Sequence, residues 1–458
     1  MSLSRFIEQD IDTTNKFSIL VVPNITSQRE LEKDSYVLVM ENVIRELNKI
    51  RDDLFFHLPI TEFSERLDFP NTKQYIITMP SFPNSMRIHY DFYQWNKILK
   101  SKDIEYDLIW SHLPEQTTNI KNHIHNVWGT DVPVIGYSHW IENSEFAPNW
   151  KVTTYHNNIS GMLQMEKCGI NTETQKRALI EECKEYYSQK VIDDLERIIT
   201  PLYLGIEDSR INDSVITKTN KVIVFNHRCK EYRGWKKFLQ LIQKLDRDDI
   251  TVFASMADAT AIQQVKGMGL EHLFDFDGPD SREEYIEKLS NCRVGFHAGT
   301  RWAMSSQDGL CRGVPYVFER GLETGELFGD KLETGFENWD DALDLINRML
   351  DDDDFRNTQS QFALEHCRGT HSWSSRILAF NDFINESMNL GLQDVISKGE
   401  KKLDILEHVK QKGMTTSKEL SDYLGWGRQI GFRRYRNFLR EQGVKTIYIN
   451  KQEHYYHG

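Results

Sequence analysis

The sequence predicts an α/β protein: two tandem doubly wound domains followed by a small C-terminal winged helix-turn-helix domain. Three observations carry this. Short apolar runs alternate with amphipathic helical stretches along residues 16–390, the pattern of parallel sheets with helices on their faces. A polar stretch, "EDSRINDSVITKTN" (207–220), divides that pattern in two. The last residues, 401–458, carry 12 Lys and Arg against 6 Asp and Glu, whereas the 458-residue chain has a net charge of −13. The tail is therefore +6, and −13 less +6 leaves −19 on the other 400 residues. That asymmetry marks a tail with its own partner.

In the first domain "KFSILVVPNI" (16–25) reads as a buried strand, an apolar run stopped by Pro and Asn. "YVLVMENVIRELNKI" reads as helix. "DLFFHLPI", "QYIITM", "YDLIWSHL" and "PVIGYSHW" are further strand-like runs, and "RIITPLYLGI" (197–206) closes the unit. The second domain offers "KVIVFNH", "ITVFASM", "LFDFDG", "RVGFHAG" and "VPYVFER", separated by helices such as "GWKKFLQLIQKL" and "SREEYIEKLSN". The acidic run Asp351–Asp354 reads as a solvated helix–loop junction. A long helix over 372–390 leads toward the tail. Two such sheets in tandem predict a ligand cleft at their carboxyl ends.

Composition excludes several classes. No apolar run approaches the roughly 18 residues of a membrane span. The opening "MSLSRFIEQDIDTTNK" is polar and lacks the apolar region of a signal peptide. Six cysteines, Cys168, Cys183, Cys229, Cys292, Cys311 and Cys367, form no CxxC pair, which argues against a zinc site or disulfide framework and for a reducing cytoplasm.

Two segments carry chemistry. In "VIVFNHRCKEYRGWKKF" (222–238) a strand ends and a helix begins. Arg228 and Arg233 stand five apart in the connection, with Gly234 next. Such a connection can hold two guanidinium groups and a helix N-terminus around one anion, and a diphosphate fits that set. On spacing alone an exposed basic loop reads equally well. In "HAGTRWAMSSQDGLCRGVPYVFERGLETGE" (297–326) a strand ends at His297–Ala298, and Gly299 and Thr300 turn into a helix containing Asp308. That helix ends near Gly313, and Val314–Pro315 opens the next strand. A carboxylate so placed can accept both hydroxyls of a ribose; alone it reads as a solvated aspartate.

Together the segments give strand, Arg, four residues, Arg-Gly, and later Asp-x-x-x-x-Gly-x-Pro. This pattern resembles the retaining nucleotide-sugar glycosyltransferases of the GT-B fold, and "HSWSSRILAF" resembles their C-terminal return helix. It is most similar to the α-glucosyltransferases of T-even phages, which act on hydroxymethylcytosine in DNA; they share a Thr-Gly-Glu turn like "ETGE" (323–326). The resemblance implies two Rossmann-like domains, 1–206 for the acceptor and 207–390 for the donor. It implies a UDP-sugar donor, UDP-glucose by default, and no metal. It places Arg228, Arg233 and Gly234 on the diphosphate and Asp308 on the ribose; His227 in "NHRCK" and His297 in "GFHAGT" are alternative candidates for lining the cleft. Thr300 stands where the family often has a glutamate. In "PVIGYSHWIENSEF" (133–146), His139, Glu142 and Glu145 are the polar candidates. The resemblance puts a histidine near the transferred sugar and so singles out His139, with Glu142 as its acidic neighbour. A lone histidine is otherwise more often structural.

The tail, 398–458, reads as the winged-helix module. "KLDILEHVKQKG" is an amphipathic helix ending in Gly, and "TTSKELSDYLGW" holds a second with Thr416 as N-cap. "GRQIGFRRYRNFLREQG" (427–443) is the third. It puts Arg433, Arg436 and Arg440 on one face and Phe432, Tyr435 and Leu439 on another. Arg428, Arg434 and Lys451 complete the basic set, Lys451 at the turn of a hairpin made by "VKTIYIN" and "EHYYHG". Helix-turn-helix logic makes double-stranded DNA the partner; a protein–protein module with a solvated basic face is the alternative. The expectation is a phage-encoded enzyme in the host cytoplasm that glycosylates a hydroxymethylpyrimidine in DNA. Alternatives are a polysaccharide, lipid or protein acceptor, or a non-catalytic DNA-binding regulator. No basic amphipathic helix marks a membrane surface, since "VIRELNKIRDDL" is charge-balanced.

Overall fold

The structure, a computed structural model, describes residues 16–23, 35–61, 71–77, 90–99, 106–128, 131–139, 155–299, 301–397, 401–416, 419–420, 439, 443–449 and 452–457. It divides into two compact units. One comprises Met1–Ile170, Leu179–Thr200 and Ala379–Gly458; the other comprises Asn171–Ala178 and Pro201–Leu378.

The first unit runs β1 (Phe17–Val22), α1 (Ser35–Ile50), β2 (Leu54–Thr61), β3 (Thr72–Ile77), α2 (Phe92–Leu99), β4 (Leu108–Ser111), α3 (Thr117–Trp128), β5 (Val134–Ser138), α4 (His156–Met162), β6 (Lys167–Ile170), the second half of α5 (Glu173–Cys183), whose first residues up to Ala178 belong to the second unit, α6 (Gln189–Ile198) and β7 (Ile199–Pro201). Its seven strands lie in the order β3-β2-β1-β4-β5-β6-β7. Sheets covered by helices on both faces need apolar side chains on both, so their strands read as unbroken apolar runs. β1 shows this, with every residue from Ser18 to Val22 buried. β1 pairs in parallel with β2 on one side and β4 on the other. That is a switch point, and the strands' carboxyl ends share one edge.

The second unit runs β8 (Val222–Val224), α7 (Trp235–Leu245), β9 (Thr251–Phe253), α8 (Ala259–Gly267), β10 (Phe274–Asp275), α9 (Arg282–Ser290), β11 (Val294–His297), α10 (Met304–Cys311), β12 (Tyr316–Glu319), α11 (Leu322–Phe328), β13 (Gly335–Phe336), α12 (Trp339–Asp351), α13 (Asp353–His366) and the start of α14 (Trp373–Ser397), whose residues from Ala379 on belong to the first unit. The order is β10-β9-β8-β11-β12-β13, parallel throughout, with the switch between β8 and β11. Each strand is two to four residues long, and only the central ones are largely buried, β11 throughout and β12 except at Glu319, so much of the core rests on the helices. Trp235, Phe238, Leu239 and Ile242 form the inner face of α7.

Three sequence expectations change. "RIITPLYLGI" is strand only over Ile199–Pro201, because α6 occupies the residues before it; Leu202 and Leu204 are buried as coil, and Ile206 is buried in an isolated bridge to Ser372. The linker "EDSRINDSVITKTN" is not fully solvated: Lys218 within it is 4% exposed and donates to the Gly313 carbonyl. The acidic run is a junction between α12 and α13, but its carboxylates are engaged. Asp351 pairs with Lys221 and Arg247, Asp353 pairs with Arg293, and Asp352 caps α13 by accepting from the Phe355 amide at 2.9 Å.

In the tail, α15 (Lys401–Lys412) ends at Gly413, whose φ of 74° stops the helix. β14 (Thr415–Thr416), β15 (Val444–Ile449) and β16 (Gln452–His457) form an antiparallel sheet, with β15 and β16 joined as the expected hairpin. Thr416 does cap. Its hydroxyl accepts from the Glu419 amide at 3.1 Å, while Glu419 accepts from the Thr416 amide at 2.8 Å, a reciprocal capping box. Of the third helix only Leu439 is described, and it is buried. Arg428, Arg433, Arg434, Arg436, Arg440 and Lys451 lie outside the described residues.

Candidate active site

The β8–α7 connection is built as an anion cradle. Gly234 is the N-cap of α7 with φ 72°, a left-handed conformation. A Cβ there would sit 2.3 Å from the Cβ of Ala298, at the end of β11. Glycine thus satisfies the turn and lets the helix N-terminus approach the neighbouring strand. No side chain caps the helix, so its first amides are not satisfied by one. Arg228 is exposed and has no partner among the described residues. Arg233 is half-buried, its guanidinium 5.7 Å from the Tyr232 ring centroid. Burial pulls Arg233 below its ordinary pKa, Tyr232 and Glu323 oppose that, and Arg228 adds like-charge repulsion. Two guanidiniums in the connection that leads into a helix N-terminus no side chain caps are groups that can hold a multiply charged anion.

Beneath the cradle lies a buried relay of polar side chains. His297 Nε2 is 2.8 Å from the Arg301 carbonyl, which can only accept, so Nε2 carries the proton. His297 Nδ1 then accepts from the Ser306 hydroxyl at 2.9 Å. His227 Nδ1 lies 3.0 Å from the Ser305 hydroxyl and its Nε2 3.4 Å from that of Ser306. Burial drives both imidazoles neutral, His297 down to about 3. They tie the start of α10 to the ends of β8 and β11. His297 thus has both ring nitrogens occupied by protein and acts from underneath.

Asp308 is 5% exposed and pairs with Arg282, at the start of α9, at 2.6 Å. Burial pushes the Asp308 carboxyl up and Arg282 pulls it down; Asp308 in turn raises Arg282. We read the pair as carboxylate and guanidinium. Gly309 follows because Tyr316 fills its neighbourhood: a Cβ would lie 2.1 Å from the Tyr316 hydroxyl. That hydroxyl donates to Asn226 Oδ1 at 3.1 Å, which fixes α10 to β8 and β12.

Sequence reasoning did not single out three acidic side chains as functional. Glu319, at the end of β12, accepts from the Gly299 amide at 2.9 Å. Glu323, 3% exposed, accepts from the Trp302 amide and the Thr172 hydroxyl, each at 3.1 Å. They bracket position 300, itself outside the described residues along with Glu142 and Glu145. Glu326 accepts from the Tyr203 hydroxyl at 2.6 Å and from the amides of Glu173 and Thr174. The "ETGE" motif was visible, but not that its second glutamate caps α5.

In the first unit His139 directly follows β5, and His112 directly follows the neighbouring β4. The structure brings them together: His112 Nδ1 lies 2.9 Å from His139 Nε2, with ring centroids 5.1 Å apart. His112 was not foreseen, because only the parallel pairing of β4 with β5 makes the two positions neighbours. Trp110 and Tyr137 pack around them. All six cysteines are unbonded and buried. Among the described residues no helix is long and apolar enough to cross a membrane.

No protein-family model matches the chain, and neither does any curated protein. Solved structures do. HepE of Anabaena, in complex with UDP and glucose, is 15% identical with a TM-score of 0.57, covering 81% of this chain and 99% of that one. Sucrose-phosphate synthase from Thermosynechococcus elongatus is 10% identical with a TM-score of 0.62, covering 81% and 99%. A glycosyltransferase from Rickettsia africae is 12% identical with a TM-score of 0.57, covering 82% and 99%. The chain shares their fold, two Rossmann-like units of the GT-B class.

Proposed function

We propose that the protein is a glycosyltransferase that takes its sugar from a UDP-sugar, UDP-glucose by default. The observation that carries this is the cradle: Arg228 without a partner among the described residues, Arg233 in the same connection, and the start of α7 that no side chain caps. A nucleotide diphosphate supplies the charge these groups lack, and neutralising it stabilises a leaving group. Asp308, held by Arg282, is the ribose acceptor in this reading. The HepE structure with UDP and glucose supports the donor class. His139 marks the acceptor side in the first unit.

For the acceptor we propose a hydroxymethylpyrimidine in double-stranded DNA, with the enzyme phage-encoded. The charge contrast between tail and body supports this. The tail's capping box and antiparallel hairpin are compatible with a small winged module. A duplex-buried hydroxyl would reach the enzyme by base flipping.

The test is nucleoside mass spectrometry. The protein is incubated with UDP-glucose and duplex DNA containing hydroxymethylcytosine or hydroxymethyluracil, and the digest is searched for an added hexose. A shifted nucleoside is expected, lost in Arg228→Ala and Arg233→Ala. Release of UDP from a UDP-sugar without any DNA product, across a panel of UDP-sugars, moves the acceptor to a polysaccharide, lipid or protein. Absence of UDP binding by calorimetry overturns the donor reading.

A further inference from the structure

The histidine pair in the first unit favours one of two arrangements of its protons. His112 is 2% exposed, and its Nε2 has no hydrogen-bond partner among the described residues. Burial drives its imidazole neutral, so it carries a single proton. Two placements satisfy the 2.9 Å contact between His112 Nδ1 and His139 Nε2. In the first, His112 carries its proton on Nδ1 and donates to His139; its Nε2 is then a bare lone pair. In the second, His139 donates and the proton of His112 sits on Nε2, a buried N–H with no acceptor. Orphaned buried donors are the rarer and more costly case. The aromatic walls supply no acceptor, since the Trp110 ring lies 4.6 Å from that of His112 and its own indole N–H has no partner among the described residues.

We propose that His112 is a positioning residue that holds His139 as the Nδ1-protonated tautomer, with His139 Nε2 engaged as an acceptor. The consequence is chemical. A neutral imidazole has one protonated nitrogen and one lone pair. In His139 the lone pair already accepts from His112, so none remains to take a proton from an acceptor hydroxyl. His139 therefore orients and does not serve as general base; the proton leaves by another route. The β4–β5 register supplies this arrangement, because parallel pairing puts both residues just past neighbouring strand ends. That His139 meets the transferred sugar rests on the function proposed above; the tautomer does not.

The experiment uses the full chain labelled with ¹⁵N-histidine, and long-range proton–nitrogen correlations assign the protonated nitrogen of His139 and His112. Both are expected to carry their proton on Nδ1. Protonation of His139 at Nε2 overturns the proposal. Kinetics then separate positioning from packing. In His112→Leu, kcat is expected to fall by up to about 100-fold with the donor KM unchanged. In His112→Asn, whose amide N–H can take the place of Nδ1–H, most of that loss is expected to be recovered. Full activity in the folded His112→Leu protein, or equal loss in His112→Asn, also overturns it. If the wild-type protein turns over no nucleotide sugar, the functional reading falls, and the tautomer assignment still decides the hold of His112 on His139.

Discussion

Asp308 answers to two partners, a structural guanidinium and, in our reading, a ribose. Removing one member of a buried ion pair strands the other, at about 3–5 kcal/mol when both are fully buried. The Arg282 side chain is 30% exposed, so water recovers part of this. Asp308→Ala is expected to cost roughly 2–3 kcal/mol in denaturant unfolding. Arg282→Ala in that background is expected to restore part of the loss; strictly additive losses would show that the pair is not coupled. Asp308→Asn keeps the shape and is expected to raise the donor KM with little change in kcat. Lys218 makes a second residue-scale test. Burial pushes its ammonium down to about 7; Arg356, Arg312 and Arg293 push the same way and Cys292 opposes. The sign follows from proton counts. Between about pH 7 and the ordinary lysine value near 10.4, the unfolded chain holds a proton that the folded chain lacks. Stability from this group therefore rises with pH across that window, by at most about 1.4 kcal/mol per unit. Lys218→Met is expected to flatten the wild-type stability profile there, read by thermal unfolding at pH 7.5 and 9.5. Identical slopes would contradict a neutral buried lysine.

At the scale of elements, the β8–α7 turn ties conformation to function. Gly234→Ala meets both a left-handed φ and the Ala298 Cβ at 2.3 Å. The α7 N-terminus must shift, and UDP affinity is expected to fall at least about tenfold, a change of about 1.4 kcal/mol; unchanged calorimetric affinity would remove the helix N-terminus from the site. Glu326 offers a separate test. It caps α5 from a distant segment, and Glu326→Gln weakens a charged cap, at about 1 kcal/mol. Hydrogen exchange at the amides of Glu173 and Thr174 is expected to quicken while exchange in α7 stays unchanged. These two elements also show what the sequence could disclose. The Arg228, Arg233 and Gly234 turn was readable because strand end, basic pair and glycine are contiguous. The helix that holds Asp308 was readable from Gly313–Val314–Pro315. The pairings of Asp308 with Arg282, His112 with His139 and Glu326 with Thr174 were not, since each joins segments that only the sheet order brings together. β6 and β13 also escaped, being short runs ("KCGI", "GF") that resemble coil until neighbouring strands pair with them.

For the whole molecule, the charge distribution sets a constraint that no single residue carries. A body of −19 approaching a polyanion is repelled, and a tail of +6 must supply the attraction. If the tail binds DNA, its arginines and lysines displace counterions, and log affinity falls with log salt by about 0.9 per phosphate contact. A module using four to six of its twelve basic residues would give a slope of roughly −4 to −5. We predict that slope for the full chain on unmodified duplex, by fluorescence anisotropy between low and physiological salt. We predict that deleting residues 401–458 abolishes binding, because the remaining body has no net positive charge to replace it. Donor binding should survive the deletion, since the cradle at Arg228, Arg233 and α7 belongs to the other compact unit. UDP affinity therefore serves as the folding control. Transfer to hydroxymethylated duplex should drop most at low salt, where the basic tether binds most tightly and the acidic body is least screened from the duplex. A truncated protein that still binds duplex with the same salt slope would show that the tail is not the DNA-binding element. A truncated protein that keeps transferring sugar to a non-nucleic acceptor would assign the tail to a different partner.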